Sequence, residues 1–117
     1  MKYNFSKYQG LGNDFIIFDA RANNLDDLFT ENKENFIEHL CNRNFGIGAD
    51  GIILILESKN NSFVRMRIFN ADGSEPEMCG NGIRCLIAFL NDNNEINDKS
   101  EIPIETNAGL ILSLIHI

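Results

Sequence analysis

"EPEMCGNGIRCLIAFL", residues 75–90, decides how this chain folds. From Ile83 to Leu90 it carries one charge, Arg84. A helix that is apolar nearly all round is a buried one, so this half predicts a central helix covered by the rest of the domain. The first half carries two opposed signals. Ser74 and Glu77 stand at capping-box spacing and Pro76 suits a first helical turn, which would start a helix near Glu75. Gly80 and Gly82 each cost about 1 kcal/mol inside a helix. Together they predict a main helix from about Gly80, with any earlier turn separate from it. "NDNNE", residues 91–95, ends the helix.

Upstream, "NADG" (70–73) is a turn and "FVRMRIFN" (63–70) a strand, in which Val64, Met66 and Ile68 alternate with Arg65 and Arg67. The apolar face of that strand continues to Asn70, an amide that needs partners at the strand end; a ligand or the turn could supply them. "IILIL" (52–56) is a strand apolar on both faces, hence covered on both. Before it, Thr30 reads as an N-cap with Glu31 and Glu34 in the first turn of a helix. Phe36, Ile37, Leu40 and Cys41 give that helix one apolar face, and "NRNFGIGADG" (42–51) breaks it. "YNFSKYQ" (3–9) and "DFIIFDA" (14–20) are strands joined by the turn "GLGN" (10–13), and "ANNLDD" (22–27) is loop. "KNNS" (59–62) is a turn, and "IPIET" (102–106) and "LILSLI" (110–115) close the chain as two strands. The order β-β-α-β-β-α-β-β with hairpin spacing predicts an α+β domain built on an antiparallel sheet, one domain over residues 1–117.

The 117 residues are 44% hydrophobic and 23% charged, an ordinary globular balance. Seventeen acidic against ten basic residues leave a formal charge of −7, and Arg65 and Arg67 are the only close arginine pair. A nucleic-acid partner would want a clustered basic face, so none is expected. "MKYNFSKYQG" has no apolar core of a signal peptide, and runs such as "GIILIL" are too short to span a bilayer. The expectation is a cytoplasmic protein without a membrane partner. The sequons at Asn4 and Asn60 then carry no meaning. Three cysteines, an odd number, make no disulfide framework and are expected as free thiols.

One of these thiols stands apart. The first N–H groups of a helix have no internal partner and carry partial positive charge, so an anion fits there. A helix starting near Gly80 puts Cys79 at that pole, where a thiolate is favoured over a thiol. Gly80 and Gly82 let a ligand approach the backbone N–H groups of Gly80 and Asn81. A thiol beside an anion cradle can hold a carboxylate and exchange a proton next to it. The bland alternative is a buried, inert cysteine, which is how Cys41 and Cys85 read on their apolar helix faces. Neither the cysteines nor His39 and His116 have the spacing of a metal site. "GIGADG" (46–51) fits a three-glycine dinucleotide pattern, but that pattern needs a strand before it and a helix after it. Here the order is reversed, so the glycines read as turn chemistry.

"GLGNDF" (10–15), "GIGADG" (46–51) and "FNADGSEPEMCGNGIRC" (69–85), in that order, resemble diaminopimelate epimerase. The resemblance runs from Lys2 to about Leu110 and covers the first half of that family's protein. It implies a domain with its sheet wrapped around a central helix, one of two similar domains with the active site between them. It implies interconversion of L,L- and meso-diaminopimelate for lysine and peptidoglycan synthesis, without pyridoxal phosphate, metal or other cofactor, in a full-length protein that is a homodimer. One thiolate takes the α-proton while a thiol from the other half delivers a proton to the opposite face. Carried over, Cys79 is the acid/base, the backbone of Gly80 and Asn81 holds the α-carboxylate, and Asn13 and Asn70 contact the substrate. Some members have Gln where Gly51 stands, and here that position offers only backbone. The second cysteine and the Glu–Arg pair of the other half are missing from this sequence, and "LSLIHI" departs from the family's continuation. The resemblance thus reads as a truncated epimerase, inactive by itself. A racemase of the same fold acting on proline or glutamate, and a non-catalytic binding domain, are the competing readings.

Overall fold

The computed structural model describes residues 4–10, 12–21, 33–59, 63–96 and 101–114. The proposed cap at Thr30, its neighbour Glu31, the "ANNLDD" loop and most of the "KNNS" turn lie outside them. Eight elements follow in the predicted order: β1 (Ser6–Gly10), β2 (Asn13–Asp19), α1 (Lys33–Cys41), β3 (Gly51–Leu56), β4 (Val64–Asn70), α2 (Gly80–Asp92), β5 (Glu101–Thr106) and β6 (Gly109–Leu114). All six strands join one sheet in chain order, β1-β2-β3-β4-β5-β6.

The α+β class holds, but the sheet is mixed rather than purely antiparallel. β2 and β3 run parallel, as do β4 and β5, while the other three pairings are antiparallel. The reason is the connections. A tight turn re-enters the sheet at the end the chain has just left and reverses the strand, whereas a long connection carrying a helix brings the chain back to the end where the previous strand began. α1 lies between β2 and β3, and α2 between β4 and β5.

Each helix covers one face of the sheet. Strand alternation sends Phe15, Ile17, Ile53, Ile55, Val64, Met66, Ile68, Ile102 and Ile104 to the α2 side, where Ile83, Cys85, Leu86 and Leu90 meet them. Ile16, Phe18, Ile52, Leu54, Leu56 and Phe69 point the other way, against Ile37 and Cys41 of α1. Every residue of β3 is buried, as expected for a strand covered on both faces. The expectation of a helix buried all round is corrected. α2 is buried along Gly82, Ile83, Cys85, Leu86 and Leu90, while Arg84 and Ala88 are exposed and Ile87 and Phe89 half-buried. One sheet face can cover only one side of a helix.

α2 starts at Gly80, with Cys79 as an N-cap in extended backbone (φ −143°, ψ 119°). Ser74 makes no capping box; it serves the preceding turn. Its N–H and its hydroxyl both donate to Asp72 Oδ1, at 2.9 and 2.6 Å, an Asx-type turn that outcompetes the distant helix end. The helix ends at Asp92 with Asn93 as its C-cap; Asn94 beyond it is left-handed at φ 58°, and the Glu95 N–H donates to Leu90 O at 3.0 Å.

Candidate active site

The strand register gathers two of the sequence-predicted site residues, Asn13 and Asn70, at one end of the sheet. Gly10 pairs with Asn13, Phe15 with Gly51, and Gly51 with Asn70. The first turn of α2 lies over this end because glycines permit it. A Cβ on Gly82 would come 2.6 Å from Ile68 Cδ1, and one on Gly10 would come 3.3 Å from Cys85 Sγ and 3.5 Å from Asn81 O. Bare backbone at both positions lets the helix pole settle on β1 and β4.

At that pole the Ile83 N–H donates to Cys79 O at 3.0 Å, closing the first helical turn. The N–H groups of Gly80, Asn81 and Gly82 precede it and have no intrahelical acceptor, and no side chain caps the helix. A Cβ on Gly80 would meet nothing within 4 Å, so space is open beside Gly80 at this pole. Cys79 is half-buried, with its side chain against the α2-side core. The geometry therefore puts a partly accessible thiol beside uncapped donors with room for an anion.

The other two thiols are core groups, as expected. Cys41 is 5% exposed and Cys85 1% exposed. Burial pushes the Cys41 thiol up to about 11. Burial likewise raises Cys85, with smaller contributions from Cys79 and Asp14. Alkylation near neutral pH should thus label Cys79 faster than either, on the order of tenfold or more, because the thiolate is the nucleophile and access controls the rest. Mass mapping of the labelled peptides checks this, and equal labelling of Cys79 and Cys85 would contradict it.

The two candidate asparagines differ. Asn70 is exposed, and its Nδ2 donates to Ser74 Oγ at 3.1 Å, so the turn supplies a partner. Asn13 is held by the protein on both sides. Asn81 Nδ2 donates to Asn13 Oδ1 at 2.7 Å, and Asn13 Nδ2 donates to Asp50 Oδ2 at 3.3 Å. Sequence reasoning missed Asp50 and its neighbours. Asp50 Oδ2 also accepts the Asp14 N–H at 3.0 Å, and Arg43 bridges Asp14 and Asp50 at 2.9 and 3.2 Å, with Lys7 on Asp14 at 3.2 Å. The available signal was an aspartate just after or within each glycine-rich turn, "GLGND" and "GIGAD", at the mouths of two paired strands.

A second charged cluster holds the segment before Cys79. Arg67 makes a bidentate pair with Glu75 at 2.9 Å on each oxygen, and Asn107 Nδ2 donates to Glu75 at 3.0 Å. This ties the 71–79 connection to β4 and to the β5–β6 hairpin. The Arg43 guanidinium holds Asp14 well below the ordinary carboxylate range, and Arg67 lowers Glu75. Each carboxyl titrates lower in the folded chain than in the unfolded one. Its contribution is full above the unfolded value of about 4 and is lost as pH falls toward the folded value. The urea midpoint should fall between pH 5 and pH 2, by less in Arg67→Met than in the unaltered chain; identical pH profiles would contradict the assignment.

Among the described residues no group of three His, Cys, Asp or Glu side chains could hold a metal ion. No helix among them is long and apolar enough to cross a membrane. "GIGADG" follows a helix and precedes a strand, as the sequence order required, and it caps α1: the Gly48 and Ala49 N–H groups donate to Leu40 O and Cys41 O at 2.9 and 3.1 Å.

The family described as diaminopimelate epimerase matches residues 5–117. A diaminopimelate epimerase of Prochlorococcus marinus (strain NATL2A) is 85% identical over 115 residues, 98% of this chain and 40% of that protein. One from Trichodesmium erythraeum is 54% identical over 112 residues, 96% of this chain and 38% of that protein. The chain thus spans about two fifths of the length of these relatives. Among solved structures, a phenazine biosynthesis protein of the PhzF family from Bacillus anthracis superposes with a TM-score of 0.70 at 25% identity, covering 96% of this chain and 36% of that one. A hydroxyproline epimerase from Agrobacterium vitis superposes with a TM-score of 0.69 at 18% identity, covering 92% and 35%, and at that identity supports the fold alone.

Proposed function

We propose, from the premise that this chain belongs to the diaminopimelate epimerase family, that it supplies one half of a two-thiol epimerase acting on diaminopimelate. The observation that carries the reading is the half-buried thiol of Cys79 at the uncapped start of α2, beside open space over Gly80.

The chemistry follows from what such a site can do. An α-proton is a very weak acid, so its removal needs stabilisation of the developing carbanion. A carboxylate held by the N–H groups of Gly80 and Asn81 lets that charge spread toward fixed dipoles in place before the reaction. The Cys79 thiolate takes the α-proton and becomes a thiol; a second acid on the opposite face gives a proton to the same carbon, and the centre inverts. In the reverse direction the Cys79 thiol is the donor. Thiols suit both roles because the ordinary thiol value, about 8.5, lies close to physiological pH. Asn70, exposed at the end of β4, contacts the substrate, and the same end of the sheet presents Asn13.

Cys41 and Cys85 are core side chains, so the opposed acid comes from outside these residues. Residues 1–117 are on this reading the N-terminal domain of a two-domain protein. They bind substrate weakly and do not invert it alone. The whole protein is a cytoplasmic homodimer, needs no cofactor, and serves lysine and peptidoglycan synthesis. The test is an assay of the full-length gene product with L,L-diaminopimelate, proline and glutamate in turn. Inversion of diaminopimelate alone is the expected result. Inversion of proline or glutamate instead would assign the site to another racemase of this fold, and no inversion of any of them would leave a binding domain.

A further inference from the structure

The connections among Asp50, Asn13 and Asn81 form a chain with a fixed polarity. A carboxylate only accepts hydrogen bonds, so the part of the Asn13 amide facing Asp50 Oδ2 must be its NH2, at 3.3 Å. That turns Asn13 Oδ1 toward α2, where an oxygen can only accept, so Asn81 presents its NH2 at 2.7 Å. Asn81 Oδ1 is then directed away from Asn13, and the first turn of α2 is tied to the start of β2. Asp50 itself has little freedom to turn. Its Oδ2 accepts the Asp14 N–H at 3.0 Å, its Oδ1 takes Arg43 at 3.2 Å, and its own N–H donates to Asp14 O at 2.9 Å. One charged group, anchored in the loop between α1 and β3, thus decides the orientation of two neutral amides, either of which could otherwise flip at little cost.

We propose that Asp50 is a positioning residue: acting through Asn13, it sets which end of the Asn81 amide faces the open pole of α2 and holds that turn in place beside Cys79. The catalytic half of this statement rests on the proton-transfer reading given above; the orientation half does not.

Asp50→Asn tests it, because the substitution keeps the shape but supplies an amide that can donate as well as accept. In ¹H–¹⁵N spectra of the 117-residue chain, the side-chain NH2 pairs of both Asn13 and Asn81 should shift, while that of Asn107, bonded to Glu75, stays. Asn13→Ala, which removes the middle link and leaves the Asp50–Arg43 contact, should shift the Asn81 pair as well. An unmoved Asn81 pair in both variants overturns the relay, and so does a spectrum in which Asn107 moves as far as Asn81. In the full-length gene product Asp50→Asn should lower kcat/KM about tenfold, since small displacements of a reacting group cost rate steeply. Spectral shifts with kcat/KM unchanged overturn the positioning role and leave the reaction standing. A full-length protein that inverts nothing overturns the reaction, and the spectra then judge the relay alone.

Discussion

Cys79→Ala in the full-length protein is expected to lower epimerisation by about 10³-fold or more while leaving substrate binding nearly intact. Loss of a positioned acid/base costs about 10²–10⁴ in rate, and in the proposed mechanism one group serves both half-reactions. Binding should survive because the donors at the helix pole are backbone N–H groups, which alanine retains. The N-cap conformation should survive too: Cys79 caps with its carbonyl, accepting from Ile83, and not with its side chain. The variant also separates two events. With one thiol gone, the opposed acid can still exchange the α-proton on its own face without inverting the centre. Proton NMR in deuterated water follows loss of the α-proton and inversion independently. Turnover retained in Cys79→Ala would remove the acid/base assignment. Asn70→Ala should show the opposite pattern, a weaker KM with kcat largely kept, since it deletes hydrogen bonds worth about 0.5–1.5 kcal/mol each.

Gly46→Ala is expected to produce the largest stability loss of any glycine-to-alanine change in the described chain, about 3 kcal/mol or more. A Cβ at Gly46 would lie 2.0 Å from His39 O and 2.7 Å from Leu40 O. Both are backbone atoms of the last turn of α1, so no side-chain rotation relieves the clash. Either the α1 end or the 42–50 connection must move, and that connection carries Arg43, Asp50 and the cap of the helix. Against a typical total of about 5–15 kcal/mol, such a loss is a large fraction. Gly80→Ala is the matched control, with nothing within 4 Å of its Cβ. It should stay within about 0.5 kcal/mol of the parent chain. Urea midpoints of the two variants check the contrast, and similar midpoints would contradict it.

The order and type of all eight elements were legible because periodicity is a local property. Val64, Met66 and Ile68 alternate along β4, and the apolar face of α1 repeats at helical spacing. Strand direction was not legible from hairpin spacing alone, since it depends on which end of the sheet a connection returns to. The extent of α2 burial was overstated because Ile87 and Phe89 are apolar without being enclosed. The place of Cys79 at the start of α2 was readable, because the glycines that follow it mark where the helix begins. The Ser74 capping signal misled, as Asp72 is closer and offers the same hydroxyl a better partner. Asp50 was invisible for a different reason. It stands 37 residues from Asn13, and only the parallel register of β2 and β3 brings the two turns together.

Strand order along the sheet is strand order along the chain, and this has a consequence for assembly during synthesis. A chain emerging from its N-terminus always finds the neighbour of its newest strand already made, so the sheet can grow from one edge. The two long closures fall between Asp19 and Gly51 and between Asn70 and Glu101, and the entropy of closing a loop rises only slowly with its length. The two parallel pairings, β2 with β3 and β4 with β5, wait on these long closures, the pattern associated with slower folding. α2 emerges after β1 to β4 and docks on a surface those strands have built, Gly82 on Ile68 and Asn81 beside Gly10. The nascent chain therefore carries Cys79 as an unsheltered thiol until that docking, and shelters it in the same step that creates the helix pole beside it.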